Sequence, residues 1–572
     1  MTPARIVRRA AVATPSLAGI HPVLARIYAA RGIDASEQLD HRLARLSPPD
    51  TMGGLDRASA CVCDAIADGR PIVIVGDYDA DGATGVAVAV RGLRMLGARD
   101  VRYCVPNRLI DGYGLTPALV ASIDAPRGTL LVTVDNGIAA IAGVAAARRA
   151  GYGVVVTDHH LPSATLPDAD AIVDPNLDDD AFPSKALAGV GVMFYLLLAT
   201  RARLRAAGVF AGREPELAVL LDLVALGTVA DLVPLDFNNR VLVQAGLRRM
   251  RGGGACAGIR ALFAVAKRDP AQAQASDLGY SLGPRLNAAG RLEDMRIGIE
   301  CLLCDDDAAA LALAARLDAI NAERRELQTG MVEQAEAIVA ASLARIGASS
   351  AGLCLHDTGW HAGIVGLVAS RIKERTARPV FAFAPGEGAA PEWRGSGRSV
   401  AGFHLRDALA TIDARHPGMI LRFGGHAMAA GLTLAAGALA AFAAAFEAEA
   451  ERQLGPGGGG AECVTDGELR GCDVTYELAH AISVGGPWGQ AFPEPVFDNR
   501  FAVCDARVVG ARHWKARLAF EGCGTEVDAI HFGASDSAPN AGRVRAAYSL
   551  ALDTWRGERR VQCVVRHLEP IE

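Results

Sequence analysis

The segment VGDYDADGATG places Asp77, Asp79 and Asp81 within five residues, directly after the apolar run PIVIV. Three carboxylates so close repel one another, and at the tip of a buried strand they cannot splay into water. Divalent cations with oxygen ligands neutralise such a set. Two further apolar runs end in the same way: TLLVTVDNG delivers Asp135, and GVVVTDHH delivers Asp158, His159 and His160. VALGTVADLVPL adds Asp231 within a mostly apolar stretch, where an unpaired carboxylate would be costly. Mixed carboxylate and imidazole donors suit Mn2+, or Mg2+ where carboxylates dominate, and no thiolate set suggests structural zinc. Two such ions can lower the pKa of a bridging water and hold the attacking and leaving oxygens of a phosphoryl transfer. Hydrolysis of a phosphate ester is the implied reaction.

The elements that must position these groups are readable from periodicity. From about 55 to 240, short β-branched runs (PIVIVGD, VRYCVP, TLLVTVD, GVVVTD, AIVDP) alternate with alanine-rich helical stretches, the signature of a parallel sheet with crossover helices. Ligands of such sheets bind at the carboxyl ends of the strands, where the aspartates fall. Leu313, Leu317, Ile320, Leu327, Met331 and Ile338 then recur at helical steps. They predict a connector about 50 Å long, or a pair of helices broken near Gly330. A second α/β region follows, then the glycine-rich GPGGGG, then short strands that suggest a small β-barrel, a common oligonucleotide platform. The expected boundaries are an N-terminal helical extension at 1–54, a catalytic α/β domain at 55–300, a connecting helix at 301–345, a smaller α/β domain at 346–454, a linker at 455–461 and the barrel at 462–572.

At 572 residues the chain exceeds what one core usually supports. Its net charge of -6 argues mildly against a protein that merely coats nucleic acid, unless many acidic groups bind cations and invert the local field. The 12 cysteines have no repeating spacing, and Cys301 to Cys304 in CLLC sit in an apolar helical pattern, so reduced packing residues are expected. The N-terminus lacks a secretory apolar stretch, and no uncharged apolar run approaches the roughly 20 residues that span a membrane. A cytoplasmic location is the expectation.

In this order, DYDADG, VTVDNG, TDHH and GTVADLVPL resemble the successive motifs of the DHH phosphoesterases. VPNRLIDGYGL at 105–115, LAGVGVMF at 187–194, SLGPRLNAAGRL at 281–292, GWHAGIVGLVASRI at 359–372 and RFGGHAMAAGL at 422–432 fit the branch of single-strand-specific 5′ to 3′ exonucleases. The resemblance implies a DHH domain joined by a long helix to a DHHA1 domain, a C-terminal OB-fold and DNA lying in a cleft. It also implies Mn2+ or Mg2+ held by Asp79, Asp81, Asp135, His159 and Asp231. Smaller DHH phosphatases have a histidine where this chain has Val75, so Asp77 or solvent completes the first ion's shell.

Other roles follow from position together with the resemblance. Asp158 orients the histidine pair from behind, and His160 contacts the scissile phosphate. Arg108, Arg285 and Asn287 are candidate phosphate clamps. Gly424, Gly425 and His426, with Arg398 and Ser399, are expected to bind nucleotides leading from the 5′ end, while Trp360 and His361 pack or brace that site. In the barrel, Arg512, His513, Trp514, Lys515 and Arg517 suggest a stacking and phosphate-tracking surface. By family analogy the partners are a helicase and a single-strand-binding protein, and the chain is expected to be a monomer. The rival readings are a DHH enzyme acting on small oligonucleotides or cyclic dinucleotides, which would need no barrel, and a non-catalytic strand binder, which would need no intact acidic set.

Overall fold

The computed structural model describes residues 5–15, 17–108, 112–210, 212–346, 350–386, 392–455, 462–510, 513–534, 539, 542–553 and 560–571. The expected linker at 455–461 lies almost wholly outside these residues, as does Arg512. The chain forms two compact units, one of residues 10–321 with 476–495 and the other of 1–9, 322–475 and 496–572.

Strand β1 (Arg5–Arg8) belongs to the second unit, and the first unit is built on β2 (Ile72–Val75), β3 (Val101–Cys104), β4 (Leu130–Val134), β5 (Gly153–Thr157) and β6 (Ala171–Val173). These lie in the order β3-β2-β4-β5-β6, all parallel. Every residue of β2 and β4 is buried, which is why they read as continuous apolar runs rather than alternating ones. Val73, Val75, Leu131, Val154 and Val156 pack on one face against Leu119 and Val144 of crossover helices. The chain leaves β2 toward one side of the sheet and reaches β4 on the other, so the topological switch point falls between these neighbours. A crevice opens there at the carboxyl ends. Asp77 follows β2 and Asp135 follows β4.

The N-terminal region is less helical than its sequence suggests. LARIYA forms the helix Pro22–Ala29, but SEQLDHRLARL gives single turns, at Ser36–Leu39 and Leu43–Arg45. Tyr28 of that helix stacks on Trp488 and Phe492, ring centroids 6.0 and 6.3 Å away, and Arg240 lies 4.3 Å over the Phe492 ring. Residues 476–495 thus pack with the first unit.

The connector is a single helix, Asp307–Ile346, with no break at Gly330, and the preceding residues through Leu303 belong to the separate helix Arg296–Leu303. In the second unit, β7 (Leu353–His356), β8 (Val380–Pro385), β9 (Glu392–Arg398), β10 (Ile420–Gly425) and β11 (Ala429–Ala435) form a sheet in the order β10-β11-β9-β8-β7. Phe381, Phe383, Phe442 and Phe446 fill its core. Strand β12 (Glu462–Thr465) pairs in parallel with β1. Strands β13 (Phe497–Val509), β14 (His513–Phe520), β15 (Glu526–His531), β16 (Gly542–Asp553) and β17 (Arg560–Ile571) close into a barrel. Among the described residues, no helix is long and apolar enough to cross a membrane.

Candidate metal centre

The carboxyl ends of β2, β4 and β5 and the end of the helix Leu221–Ala230 bring the predicted ligands together. Asp77, Asp79 and Asp135 place carboxylate oxygens within 4.8 Å of one another, and Asp81 and Asp231 do the same with an imidazole nitrogen of His159. Asp135 forms a third such group with His159 and His160, and its Oδ1 lies 3.0 Å from His159 Nε2. His159 Nε2 is also 3.6 Å from Asp231 Oδ2 and 4.0 Å from Asp81 Oδ2. Asp135 therefore sits where two ion positions would adjoin.

Local backbone geometry aims these groups. Asp79 caps the helix Ala80–Met95, its Oδ1 accepting the amides of Asp81 and Gly82 at 3.0 Å. Asp135 adopts φ +62°, a left-handed conformation that swings its side chain off the strand axis. Gly189 passes so close that a Cβ there would lie 2.5 Å from the Asp135 Cβ. That approach lets the amides of Gly189 and Val190 donate to the two oxygens of Asp81, at 2.6 and 3.0 Å.

The electrostatics of the cluster require cations. Burial, reinforced by the neighbouring carboxylates, pushes Asp77, Asp81 and Asp135 well above the usual carboxylate range, and Asp231 is pushed up to about 7 by burial and Asp79. Asp77 Oδ1 is buried with no hydrogen-bond partner among the described residues. Carboxylates this close, one with an orphaned oxygen, match the donor set of hard divalent ions. The residues fit Mn2+ or Mg2+.

Asp158 lies behind the histidine pair. Its Oδ1 accepts the amide of His159 at 2.8 Å and meets His160 Nδ1 at 2.7 Å, and its Oδ2 accepts the Ile138 amide at 2.9 Å. Burial alone would raise this carboxyl, but the His160 hydrogen bond and the imidazole charges hold it below its ordinary value. His160 shows the counterpart: burial lowers it, yet the bond to Asp158 prevails and takes it to about 9.

The proposed clamps divide. The Arg108 guanidinium lies 4.0 Å over the Tyr78 ring, and its charge favours the ionised form of Asp77. Arg285 is instead spent on an ion pair with Asp318 at 2.8 Å and a bond to the Ser281 carbonyl. The Oδ1 of Asn287 accepts the Ala80 amide at 2.9 Å and fixes the loop that carries Asp79 and Asp81.

In the second unit, Arg398 pairs with Ala429 across β9 and β11, beside the end of β10 at Gly424 and Gly425 and the start of the following turn at His426. These three residues are exposed. Gly425 has φ +134°, and a Cβ on it would lie 2.5 Å from the Ala429 oxygen, so only glycine serves. Ser399 is a correction: it is buried, its hydroxyl donates to the Phe403 carbonyl at 2.6 Å and its amide to the Met428 carbonyl at 2.9 Å, so it braces the turn and offers nothing to a ligand. Trp360 is buried, with its indole N–H donating to Gln334 at 2.8 Å, and His361 Nδ1 accepts the Gly363 amide. Trp514 is a second correction. It is 0% exposed, and its indole N–H donates to the Pro539 carbonyl at 3.1 Å. Lys515, its neighbour in a strand of alternating faces, points the other way and is half-buried.

Several residues went unassigned from sequence. The Tyr113 hydroxyl donates to the Asp135 carbonyl at 3.1 Å and lies 3.5 Å from His160 Nε2. Asn176 donates from its side chain to the His159 carbonyl at 2.6 Å. Among the described barrel residues, Phe532 is an exposed aromatic, 59% accessible, with the His513 ring edge-on 5.2 Å away. Tyr113 lies within the quoted DGYGL motif; no pattern marks the others.

Comparison with known proteins agrees with this geometry. Residues 71–228 match the DHH family, N-terminal domain, residues 340–452 the DHHA1 domain and residues 465–567 the RecJ OB domain. The chain is 50% identical over 558 residues to the single-stranded-DNA-specific exonuclease RecJ of Dickeya dadantii, covering 96% of each chain. It is 47% identical to the Escherichia coli protein of that name, covering 97% of each. Among solved structures, RecJ from Thermus thermophilus in complex with Mn2+ superposes with a TM-score of 0.81 at 32% identity, covering 100% of this chain and 80% of that one.

Proposed function

Because the chain belongs to the RecJ family, we propose that it is a divalent-metal-dependent exonuclease that hydrolyses single-stranded DNA from its 5′ end to mononucleotides, in DNA repair and recombination. The observation that carries this reading is the cluster of Asp77, Asp79, Asp81, Asp135, His159 and Asp231 at the sheet's switch point. A barrel of the RecJ OB type on the same chain narrows the substrate to an extended strand.

Asp77, Asp79 and Asp135 would hold one ion, and Asp81, His159 and Asp231 the other, with Asp135 between them. When bound, such ions lower the pKa of a coordinated water and neutralise charge on the scissile phosphate. The chain's own groups do the rest. Asp158 fixes His160 through Nδ1, which leaves Nε2 to donate a proton in a hydrogen bond to a phosphate oxygen. Arg108, flat on Tyr78, offers a guanidinium fork to the same phosphate. Arg398 and the exposed residues Gly424, Gly425 and His426 contact the backbone of the strand, as Lys515 does on the barrel. Phe532 takes the stacking role first given to Trp514. The protein acts in the cytoplasm as a monomer, on strands opened by a helicase and coated by a single-strand-binding protein.

The test is incubation with Mn2+ and 5′-labelled or 3′-labelled single-stranded DNA, with duplex, RNA and dinucleotide substrates alongside. Release of mononucleotides from the 5′ end of single-stranded DNA is expected. Cleavage confined to dinucleotides would refute the reading.

A further inference from the structure

The Ala80–Met95 helix carries Asp81 near one end and a second polar site near the other. Arg94 lies 13 residues beyond Asp81, about 20 Å along the axis at the helical rise. There a cavity of about 450 Å³ is lined by residues of this helix and of the helices Leu221–Ala230, Phe237–Arg251 and Ala257–Val265.

Its charge is lopsided. Arg91, Arg94, Arg249 and Arg260 line it, against the carboxylates of Asp222 and Asp305. Asp222 is fully buried and already committed, since its oxygens accept the amides of Leu223 at 3.0 Å and Cys256 at 2.7 Å. Asp305 pairs with Arg91 at 2.8 Å, and Arg260 bonds the Ala255 carbonyl and Asp307. Arg94 donates to the neutral Val101 carbonyl at 3.2 Å. The buried Nε of Arg249 has no hydrogen-bond partner among the described residues, and it lies 3.9 Å from Asp222 Oδ1, beyond bonding reach. Ala257, the first residue of its helix, also lines the cavity and brings the positive end of the helix dipole to the wall. Met95, Leu223 and Leu303 supply an apolar side.

Arg91 and Arg249 are partly buried while Arg94 and Arg260 reach solvent, so an anion entering the cavity meets guanidinium donors at its mouth and at its wall. Guanidinium forks match phosphate geometry, and an anion with several acceptor oxygens can take donors from more than one of them. The volume falls in the range of small-molecule sites, and the apolar side fits the organic part of such a ligand. We propose that this cavity binds the phosphate ester of a small organic molecule of nucleotide size, at a site separate from the metal centre. The choice of a nucleoside monophosphate as probe rests on the proposed reaction, which releases that class of product.

Isothermal titration calorimetry of the full chain with deoxyadenosine monophosphate in EDTA tests this, using wild type and Asp135→Ala so that the metal centre does not contribute. Saturable binding is expected in both proteins, at least about tenfold tighter than for deoxyadenosine or inorganic phosphate alone. Arg94→Gln/Arg249→Gln is expected to weaken it by at least about tenfold while strand cleavage continues at the wild-type rate. Arg260→Gln, which keeps Arg249 beside Asp222, provides a second variant should the first fail to fold. Absence of binding, binding undiminished in both variants, or equal affinity for bare phosphate would each overturn the proposal. Loss of cleavage in Asp135→Ala with binding retained separates this site from the proposed reaction.

Discussion

His159 Nε2 and Asp135 Oδ1 lie 3.0 Å apart, although one residue follows β5 and the other follows β4. Two adjacent parallel strands thus deliver an imidazole and a carboxylate to one point, with Asp81 and Asp231 within 4.0 Å of the same nitrogen. Without cations, such packing of carboxylates opposes folding. Mn2+ is therefore expected to raise the melting temperature of the first unit, with about 2.7 kcal/mol gained at a concentration 100 times the dissociation constant. Differential scanning calorimetry in Mn2+ and in EDTA checks this. Identical transitions would contradict it.

Asp158 acts through its neighbours. It fixes the His159 amide and the His160 ring at 2.8 and 2.7 Å. Asp158→Asn is expected to lower activity by about 10–100-fold, with part of the loss recovered at higher Mn2+. A Mn2+ titration of the cleavage rate distinguishes this from simple misfolding, which added metal would not repair.

Two of the barrel's aromatics, Phe532 and Trp514, should separate stability from binding. Phe532→Ala is expected to weaken single-stranded DNA binding by about 1–3 kcal/mol with the barrel intact. Trp514→Ala removes a fully buried ring and should destabilise the barrel by about 3–5 kcal/mol. Fluorescence anisotropy with an oligonucleotide and circular dichroism melts of both variants give the two readouts.

His41 predicts acid sensitivity away from the metal centre. Burial, followed by the charges of Arg240 and Arg248, lowers its imidazole from 6.5 to about 4. The folded form therefore binds its proton later than the unfolded form. The stability this contributes is fully present above pH 6.5 and is lost as pH falls toward 4, by about 3 kcal/mol in all. Denaturant melts of wild type and His41→Gln at pH 7 and 4.5 should show a smaller loss in the variant; equal losses would exclude His41 as a cause.

Much of the centre was legible because burial and chemistry leave separate marks. The continuous apolar runs of β2 and β4 announced strands buried on both faces, and an aspartate within two residues of each had to sit at a sheet end. What the residues could not disclose was how side chains are spent. Arg285 reads as a phosphate ligand until Asp318 is seen beside it, 33 positions away along the chain. Asn287 meets Ala80 across 207 positions, and only the fold brings them together. Trp514 was misread for a nearer reason: Trp514, Ala516 and Leu518 form the inward row of β14, and its basic neighbours drew attention from that alternation. Phe532 follows β15 with no arginine or lysine beside it to mark it as a platform.

The most direct test of the account is the rate at which Asp135→Ala releases nucleotides from 5′-labelled single-stranded DNA in saturating Mn2+, with strand binding measured in the same preparation. A fall on the order of 10³-fold or more with binding still measurable is the predicted result. Cleavage at the wild-type rate would contradict the assignment of this carboxylate to the metal centre.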